Sequence, residues 1–228
     1  AGKIWLSGKS LPNMCDAVFT RLTQIGKLDN ALRWQRIELA IAQSQTGLMR
    51  ALANALPADE AALVNSYADY IEAPHARYNT WPRNARSRQA AVQGLVRLAK
   101  RSPDSAEQQL VNVVNTLGLQ DSERGRVLNE VALWTVASYG PGSAQRLNAV
   151  PAAGYDDKLH EWRVREAMSR GDDVAAAVAG AHVVVTSYTL MRLEDAEYRA
   201  LPWSGLILDE AQFVKNHRSR TYQAARRM

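Results

Sequence analysis

The chain has a single cysteine, Cys15, among its 228 residues. One cysteine cannot form a disulfide within the chain, and it cannot build a zinc site from several thiolates. The histidines lie far apart in the sequence, and none has another histidine or the cysteine at helical spacing. The sequence therefore predicts neither a disulfide framework nor a metal site of this kind, and it leaves the redox compartment open.

Long apolar runs are also missing. The longest, such as 175–181 and 183–185, fall far short of the roughly 20 residues that a membrane-spanning helix needs. Residues 1–6 hold no basic region followed by an apolar stretch, so the sequence predicts no secretory signal. From this pattern alone we expect a soluble chain that is either cytoplasmic as written or has had its leader removed. Since 46% of the residues are apolar and 22% are charged, the chain can bury a core of one large domain or two modest ones.

Helical periodicity dominates the chain from Leu11 to Ser169. Apolar residues recur three and four positions apart, as in the stripe of Leu48, Leu52 and Leu56. Turn-forming segments separate these stripes, and residues such as Asp29 are suited to cap the helix that follows. The pattern predicts a mainly α fold, in which helix pairs stack into a curved superhelical array. No strict sequence period supports a regular tetratricopeptide-type repeat.

The pattern changes after Gly171. Two short apolar segments, His182–Thr186 and Gly205–Leu208, have the composition of buried strands, and the residues between them favour a helix. Strands that alternate with helices indicate a parallel sheet covered on both faces. Two strands are too few to complete one. We therefore expect a small, incomplete α/β piece of RecA-like type over residues 172–228, beside a helical domain over residues 1–171.

The positive charge is unevenly distributed. Residues 1–171 carry 21 basic and 16 acidic side chains, whereas residues 172–228 carry 7 of each, so the whole net charge of +5 belongs to the first part. A local group of Arg83, Arg86 and Arg88 follows Trp81, whose ring could stack on a sugar. These four residues are a candidate ligand-binding surface; the alternative is an ordinary solvated helix face with a core tryptophan.

Two carboxylates, Asp209 and Glu210, directly follow the second predicted strand. Ligands of open parallel sheets bind at the carboxyl ends of the strands. In nucleotide hydrolases a carboxylate at this place holds Mg²⁺, and a second one can orient or deprotonate the attacking water. The alternative is a strand end with two solvated acids.

Residues 183–190 and 203–216 resemble the first lobe of Swi/Snf-type DNA-translocating ATPases, including the D-E-A-Q form of the Walker B box. The resemblance implies that Asp209 contributes to Mg²⁺ binding, Glu210 to water activation, and Gln212 to coupling hydrolysis with nucleic-acid movement. The family also needs a phosphate loop and a second lobe, and the sequence contains neither. Gly8-Lys9-Ser10 ends like a phosphate loop but lacks the glycine spacing. We expect no cofactor for this chain alone, Mg-ATP only in a completed lobe, and no nucleic-acid binding by this chain alone.

The helical part resembles a different family. The block Trp5–Asp16, followed by Phe19 and the helix through Trp34, is similar to the U-shaped helical domain of soluble lytic transglycosylases. This resemblance implies a periplasmic location and a curved superhelix that contacts peptidoglycan or a protein partner. Cleavage in that family belongs to a separate domain whose catalytic glutamate precedes a serine, and this sequence has no Glu-Ser pair.

The two resemblances meet near residue 171, which indicates a composite chain without a complete active site. The leading hypothesis is a non-catalytic helical scaffold segment of lytic-transglycosylase type joined to an incomplete ATPase fragment. The alternative is a fragment of a DNA-dependent helicase-like ATPase, whose acidic box binds Mg-ATP only with its missing lobes. Either way, we lean against enzymatic activity of this chain alone.

Overall fold

In a computed structural model of the chain, residues 2–138, 140–169, 178, 181–184 and 186–228 are described. The first part consists of α-helices joined by short turns. These helices are α1 (Gly2–Trp5), α2 (Asp16–Gln24), α3 (Asn30–Ala42), α4 (Thr46–Ala53), α5 (Ala58–Glu72), α6 (Ala85–Ala99), α7 (Pro103–Leu117), α8 (Asp121–Ala137), α9 (Ser143–Ala149) and α10 (Asp157–Ser169). Short 3₁₀ helices lie at Asn13–Cys15, Ala76–Thr80 and Ala152–Gly154. The predicted mainly helical fold is confirmed.

Caps and breakers in the sequence set the helix ends. Asp29 accepts a hydrogen bond from the backbone N–H of Leu32 (2.9 Å) at the start of α3, and Asn84 does the same for Ser87 at the start of α6. Each bond satisfies one of the free N–H groups of a helix N-terminus. Gly118 ends α7 in the left-handed conformation, with φ of +69°, which costs glycine little because it has no Cβ.

The helices stack in two layers. Helix α3 packs on α6, α6 on α8 and α8 on α10, while α5, α7 and α9 pack beside this row. A continuous apolar core runs through the stack from Trp5 to Leu159. This stacking of neighbouring helices is the arrangement of an array of helix pairs. Within the described ranges, no helix is long and apolar enough to cross a membrane.

The described C-terminal residues, 186–228, form a smaller cluster. It contains α11 (Tyr188–Leu193), α12 (Asp195–Arg199), a 3₁₀ helix at Ala211–Val214 and α13 (Arg220–Arg227), with α11 packed on α13. Met191, Tyr198 and Ala224 are buried, and they lie outside the core of the first part. The Trp203 ring stacks on that of Tyr198, and its indole N–H donates to the Tyr198 carbonyl (2.6 Å). The predicted junction at 171/172 lies outside the described residues.

The two predicted strands are corrected by the structure. Gly205–Leu208 is not in a strand, and the described residues of His182–Thr186 are not either; Val185 lies outside the described residues. Strand formation requires a neighbouring strand for its backbone hydrogen bonds. None is present in the described ranges, and Ile207 is 96% exposed. An apolar, β-branched composition therefore does not produce a sheet here.

Candidate functional site

The acidic box lies on a turn after Gly205–Leu208. One Asp209 carboxylate oxygen accepts the backbone N–H of Glu210 (2.9 Å), and the Tyr188 hydroxyl donates to the Asp209 backbone carbonyl (2.5 Å). The Gln212 side-chain amide donates to the Glu210 carboxylate. All three box residues, Asp209, Glu210 and Gln212, are exposed. The structure thus places the predicted catalytic residues next to one another, bonded to their own neighbours.

This arrangement does not fit Mg-ATP by itself. Mg²⁺ in nucleotide sites has near-octahedral oxygen coordination, shared among carboxylates, waters and phosphates, and the phosphates are held by a loop of backbone N–H groups. Among the described residues, no three His, Cys, Asp or Glu side chains are grouped as metal ligands. Asp209, the predicted Mg²⁺ ligand, directs one carboxylate oxygen to a local backbone N–H instead.

The Gly8-Lys9-Ser10 loop also differs from a phosphate loop. The Arg36 guanidinium donates to the backbone carbonyls of Ser7 (3.3 Å) and Lys9 (3.5 Å). A Cβ on Gly8 would lie 2.6 Å from the Leu39 carbonyl oxygen, so this glycine allows close packing on α3. Phosphate is held by N–H groups, whereas here carbonyl oxygens face a cation.

Trp81 is a core residue, which corrects its proposed role as a sugar platform. Its side chain is 5% exposed, and its rings meet those of Tyr67 and Tyr70 edge to face at 4.6 and 5.3 Å. The indole N–H donates to the Ser66 hydroxyl (2.9 Å). A ring packed in this way has no free face on which a sugar could stack.

The three neighbouring arginines are bonded within the fold, and their assignment as a ligand-binding group stays a prediction. Arg83 donates to the carbonyls of Asn115 (2.6 Å) and Thr116 (2.5 Å) near the end of α7. Arg86 pairs with Glu38 of α3 (2.7 Å), and Arg88 pairs with Glu123 of α8 (3.0 Å). The Arg86 guanidinium also lies 4.3 Å from the centre of the Trp34 ring. Their positive charges therefore join helices.

Two further arginines join helices in the same manner. Arg146 of α9 donates to Asp104 (2.5 Å) and Glu107 (2.7 Å) of α7. Burial lowers its pKa, but the two acidic partners outweigh burial and raise it overall. Arg50 of α4 pairs with Asp69 and Glu72 of α5. Its hydrogen bond lowers the pKa of Glu72 to about 2.

Three polar side chains that are hydrogen-bonded in a row between helices were not predicted from the sequence. Arg126 of α8 donates to the side-chain oxygen of Gln93 in α6 (2.8 Å), and the Gln93 amide nitrogen donates to the Ser44 hydroxyl (2.7 Å). Gln93 is only 7% exposed. Its signal in the sequence is a glutamine between apolar residues of α6, a pattern that also fits a solvated position.

Most of the chain is similar to known proteins. No known protein-family model matches the chain. The soluble lytic murein transglycosylase of Salmonella typhimurium is 28% identical over 180 residues, which are 75% of this chain and 27% of that protein. Its counterpart in Escherichia coli K12 is 27% identical over 179 residues, again 75% of this chain and 27% of that protein. The chain thus spans about a quarter of the length of these relatives.

Solved structures show the fold. A 70-kDa soluble lytic transglycosylase in complex with bulgecin A matches with a TM-score of 0.71 and 23% identity, over 86% of this chain and 33% of that one. An inactive mutant of lytic transglycosylase Slt from Pseudomonas aeruginosa matches with a TM-score of 0.67 and 22% identity, over 99% of this chain and 38% of that one. The predicted resemblance to soluble lytic transglycosylases is confirmed.

A shorter stretch is similar to a different protein. A Bacillus subtilis protein named as an ATP-dependent helicase/translocase, YwqA, is 39% identical over 59 residues, which are 26% of this chain and 6% of that protein. The match agrees with the second resemblance predicted from the sequence. The roles assigned to Asp209, Glu210 and Gln212 stay predictions.

Proposed function

We propose that the helical part is a non-catalytic scaffold segment of lytic-transglycosylase type that contacts peptidoglycan. The observation that carries this proposal is the shared helical fold, with a TM-score of 0.71 over 86% of the chain. Sequence similarity to the murein transglycosylase of Salmonella typhimurium over 75% of the chain supports it further. On this proposal the helical part acts in the periplasm, where its basic surplus meets the carboxylates of murein.

Three glutamates of the helical part are paired with arginines, which supports a non-catalytic role for these three residues. Glycan cleavage needs a carboxylic acid that stays protonated in an apolar cleft, with its pKa raised. Glu72 shows the opposite, because the hydrogen bond from Arg50 lowers its pKa to about 2. Glu38 and Glu123 also pair with arginines, at 2.7 and 3.0 Å. The ionised Glu72 holds α4 and α5 together but cannot donate a proton to a glycosidic oxygen, and Glu38 and Glu123 join helices.

Co-sedimentation with purified murein sacculi tests the scaffold proposal. We expect the chain to pellet with sacculi, to be released as salt is raised, and to liberate no soluble muropeptides. Cellulose, a neutral glycan of similar insolubility, is the control and should retain little protein. The proposal is wrong if the chain stays in solution at low salt, or if purified chain releases murein fragments.

A second candidate is favoured by the 39% identity of 59 residues to a helicase/translocase. On this view residues 172–228 are a separate domain and part of an ATPase lobe, whose two strands form only beside the remaining strands. Asp209 and Glu210 would then serve Mg-ATP only in the completed lobe. ATP turnover by the purified chain that disappears in Glu210→Gln would support this candidate over the scaffold. The flanking coding sequence distinguishes a composite chain from a truncated ATPase, since only the latter encodes a phosphate loop upstream.

A further inference from the structure

Three polar side chains connect α8, α6 and the turn between α3 and α4. Arg126 donates to the Gln93 oxygen (2.8 Å), and the Gln93 nitrogen donates to the Ser44 hydroxyl (2.7 Å). We call Arg126, Gln93 and Ser44 the Arg126 relay. Gln93 is 7% exposed, so its amide orientation is fixed by burial and by a bond at each end. Arg126 itself is exposed, and Ser44 is half-buried. The relay therefore joins an exposed cation and a half-buried hydroxyl through a buried amide.

The charge of Arg126 sets it apart from other arginines that join helices. Arg86, Arg88 and Arg146 each bond to a carboxylate, which neutralises their charge. In the described structure the partner of Arg126 is a neutral amide oxygen. A guanidinium has five N–H donors, and a single amide leaves most of them available. Arg126 is thus an ordered cation whose preferred partner, a planar two-oxygen anion, is not supplied by the described residues.

The other end of the relay adds a second donor. The Ser44 oxygen accepts the proton from Gln93, so its own O–H can still donate to another group. Two hydrogen bonds and one amide group separate Arg126 from Ser44, which places them no more than about 8 Å apart. One carboxylate with two hydrogen bonds of ordinary length covers a similar distance. Both donors can therefore hold the same anion above the buried Gln93.

We propose that Arg126 and Ser44 bind a stem-peptide carboxylate of murein, with Gln93 as the positioning residue between them. The proposal rests on the scaffold function given above and names the chemistry that the helical part recognises. A carboxylate fits this pair because it accepts hydrogen bonds from both donors, and because its negative charge pairs with the positive charge of Arg126, whose described partner is neutral. Neutral glycan hydroxyls would leave that charge unmatched.

Sacculi with blocked carboxylates test this directly with the full 228-residue chain. Carbodiimide coupling to an amine converts the stem-peptide carboxylates into neutral amides and leaves the glycan intact. We expect the native chain to bind blocked sacculi about tenfold more weakly, the scale of a lost charged hydrogen bond. Arg126→Gln should bind untreated sacculi about tenfold more weakly, and blocking should weaken its binding less than it weakens that of the native chain. Arg124→Gln is the matched control, because it removes an exposed charge from the same helix and should behave as the native chain.

A soluble probe separates this site from the scaffold function. The murein tripeptide L-alanyl-γ-D-glutamyl-diaminopimelate should shift the Arg126 side-chain N–H signal in ¹H–¹⁵N spectra, and its carboxyl-amidated form should not. Gln93→Met preserves the side-chain volume and should reduce the shift, since Arg126 loses its fixed orientation. Unchanged far-UV circular dichroism verifies that each variant is folded.

Each outcome discriminates. If sacculi bind but Arg126→Gln equals the native chain, the carboxylate site is wrong and the scaffold stands. If the tripeptide shifts Arg126 while sacculi do not bind, the site stands and the scaffold is wrong. If neither binds, both proposals are overturned.

Discussion

The helical body, residues 2–169, and the C-terminal segment, residues 186–228, differ in how completely they bury their apolar side chains. In the body, α6 packs against α3, α5, α7 and α8, and the core continues from Trp5 to Leu159. In the segment, Tyr198 is buried, yet Ile207 is 96% exposed and Leu206 is 45% exposed. Apolar surface stabilises a fold only when neighbouring elements remove it from water. In the segment, the apolar residues of a predicted strand stay in contact with water, because no described strand covers them.

Hydrogen exchange should show the largest difference between the two regions. Backbone N–H groups inside α6 are buried and bonded within the helix, so they open only with much of the body. Within the described residues, the N–H groups of 205–208 form no hydrogen bond. We expect exchange at 205–208 to be about a thousandfold faster or more than at the centre of α6, measured by mass spectrometry on peptic fragments.

Exchange at 205–208 as slow as at α6 would contradict the comparison, and it would indicate that these residues form a paired strand in solution.

A methyl group added to the helical body should destabilise the chain, whereas one added to the segment should have little effect. A Cβ on Gly94 of α6 would lie 2.5 Å from the buried Tyr70 ring and 3.0 Å from the Tyr70 carbonyl oxygen, whereas a Cβ on Gly205 would meet nothing within 4 Å. Gly94→Ala gains about 1 kcal/mol of helix propensity but must displace a packed ring. We expect a net loss of about 2 kcal/mol in the free energy of unfolding, measured in urea.

Gly205→Ala is the matched control, and its free energy of unfolding should stay within about 0.5 kcal/mol of the native value. A Gly94→Ala variant more stable than the native chain would show that α5 and α6 are less tightly packed than described.

Local sequence signals predict where the helices lie. Asp29 caps α3 and Gly118 ends α7, as expected for residues whose chemistry acts over one turn. Strand formation by an apolar run is harder to predict, because it depends on strands that are distant in the sequence. Gly205–Leu208 has the composition of a buried strand, but composition alone does not reveal whether a neighbouring strand is present.

The candidate site was harder to predict because its partners are remote in sequence. Arg86 meets Glu38 from 48 residues away, and Arg88 meets Glu123 from 35 residues away. A cluster of positive charge in the sequence is therefore compatible with binding a ligand or with joining helices, and only the tertiary contacts decide. The local geometry of Asp209, Glu210 and Gln212 follows from adjacency, whereas their chemistry depends on groups outside the described residues.

We expect the smallest change in the free energy of unfolding when one ion pair is removed from either region. The hydrogen bond from Arg50 lowers the pKa of Glu72 to about 2, below the ordinary 4.5 of an unfolded chain. The pair therefore stabilises the body fully above about pH 4.5, and this contribution is lost as the pH falls through 2. Because the Glu72 side chain is 46% exposed, we expect Glu72→Gln to cost only about 0.5 kcal/mol at pH 7 in urea unfolding. The difference from the native chain should vanish near pH 2.

Asp195→Asn is the control in the segment, where Asp195 pairs with Arg227 at 2.7 Å. Since the segment's buried residues lie outside the core of the body, this substitution should leave the main helical transition in place. A shift of that transition equal to the effect of Glu72→Gln would mean that the two regions unfold together, because a lost pair can destabilise only the cooperative unit to which it belongs. A Glu72→Gln difference that persists at pH 2 would instead assign the effect to packing rather than to charge.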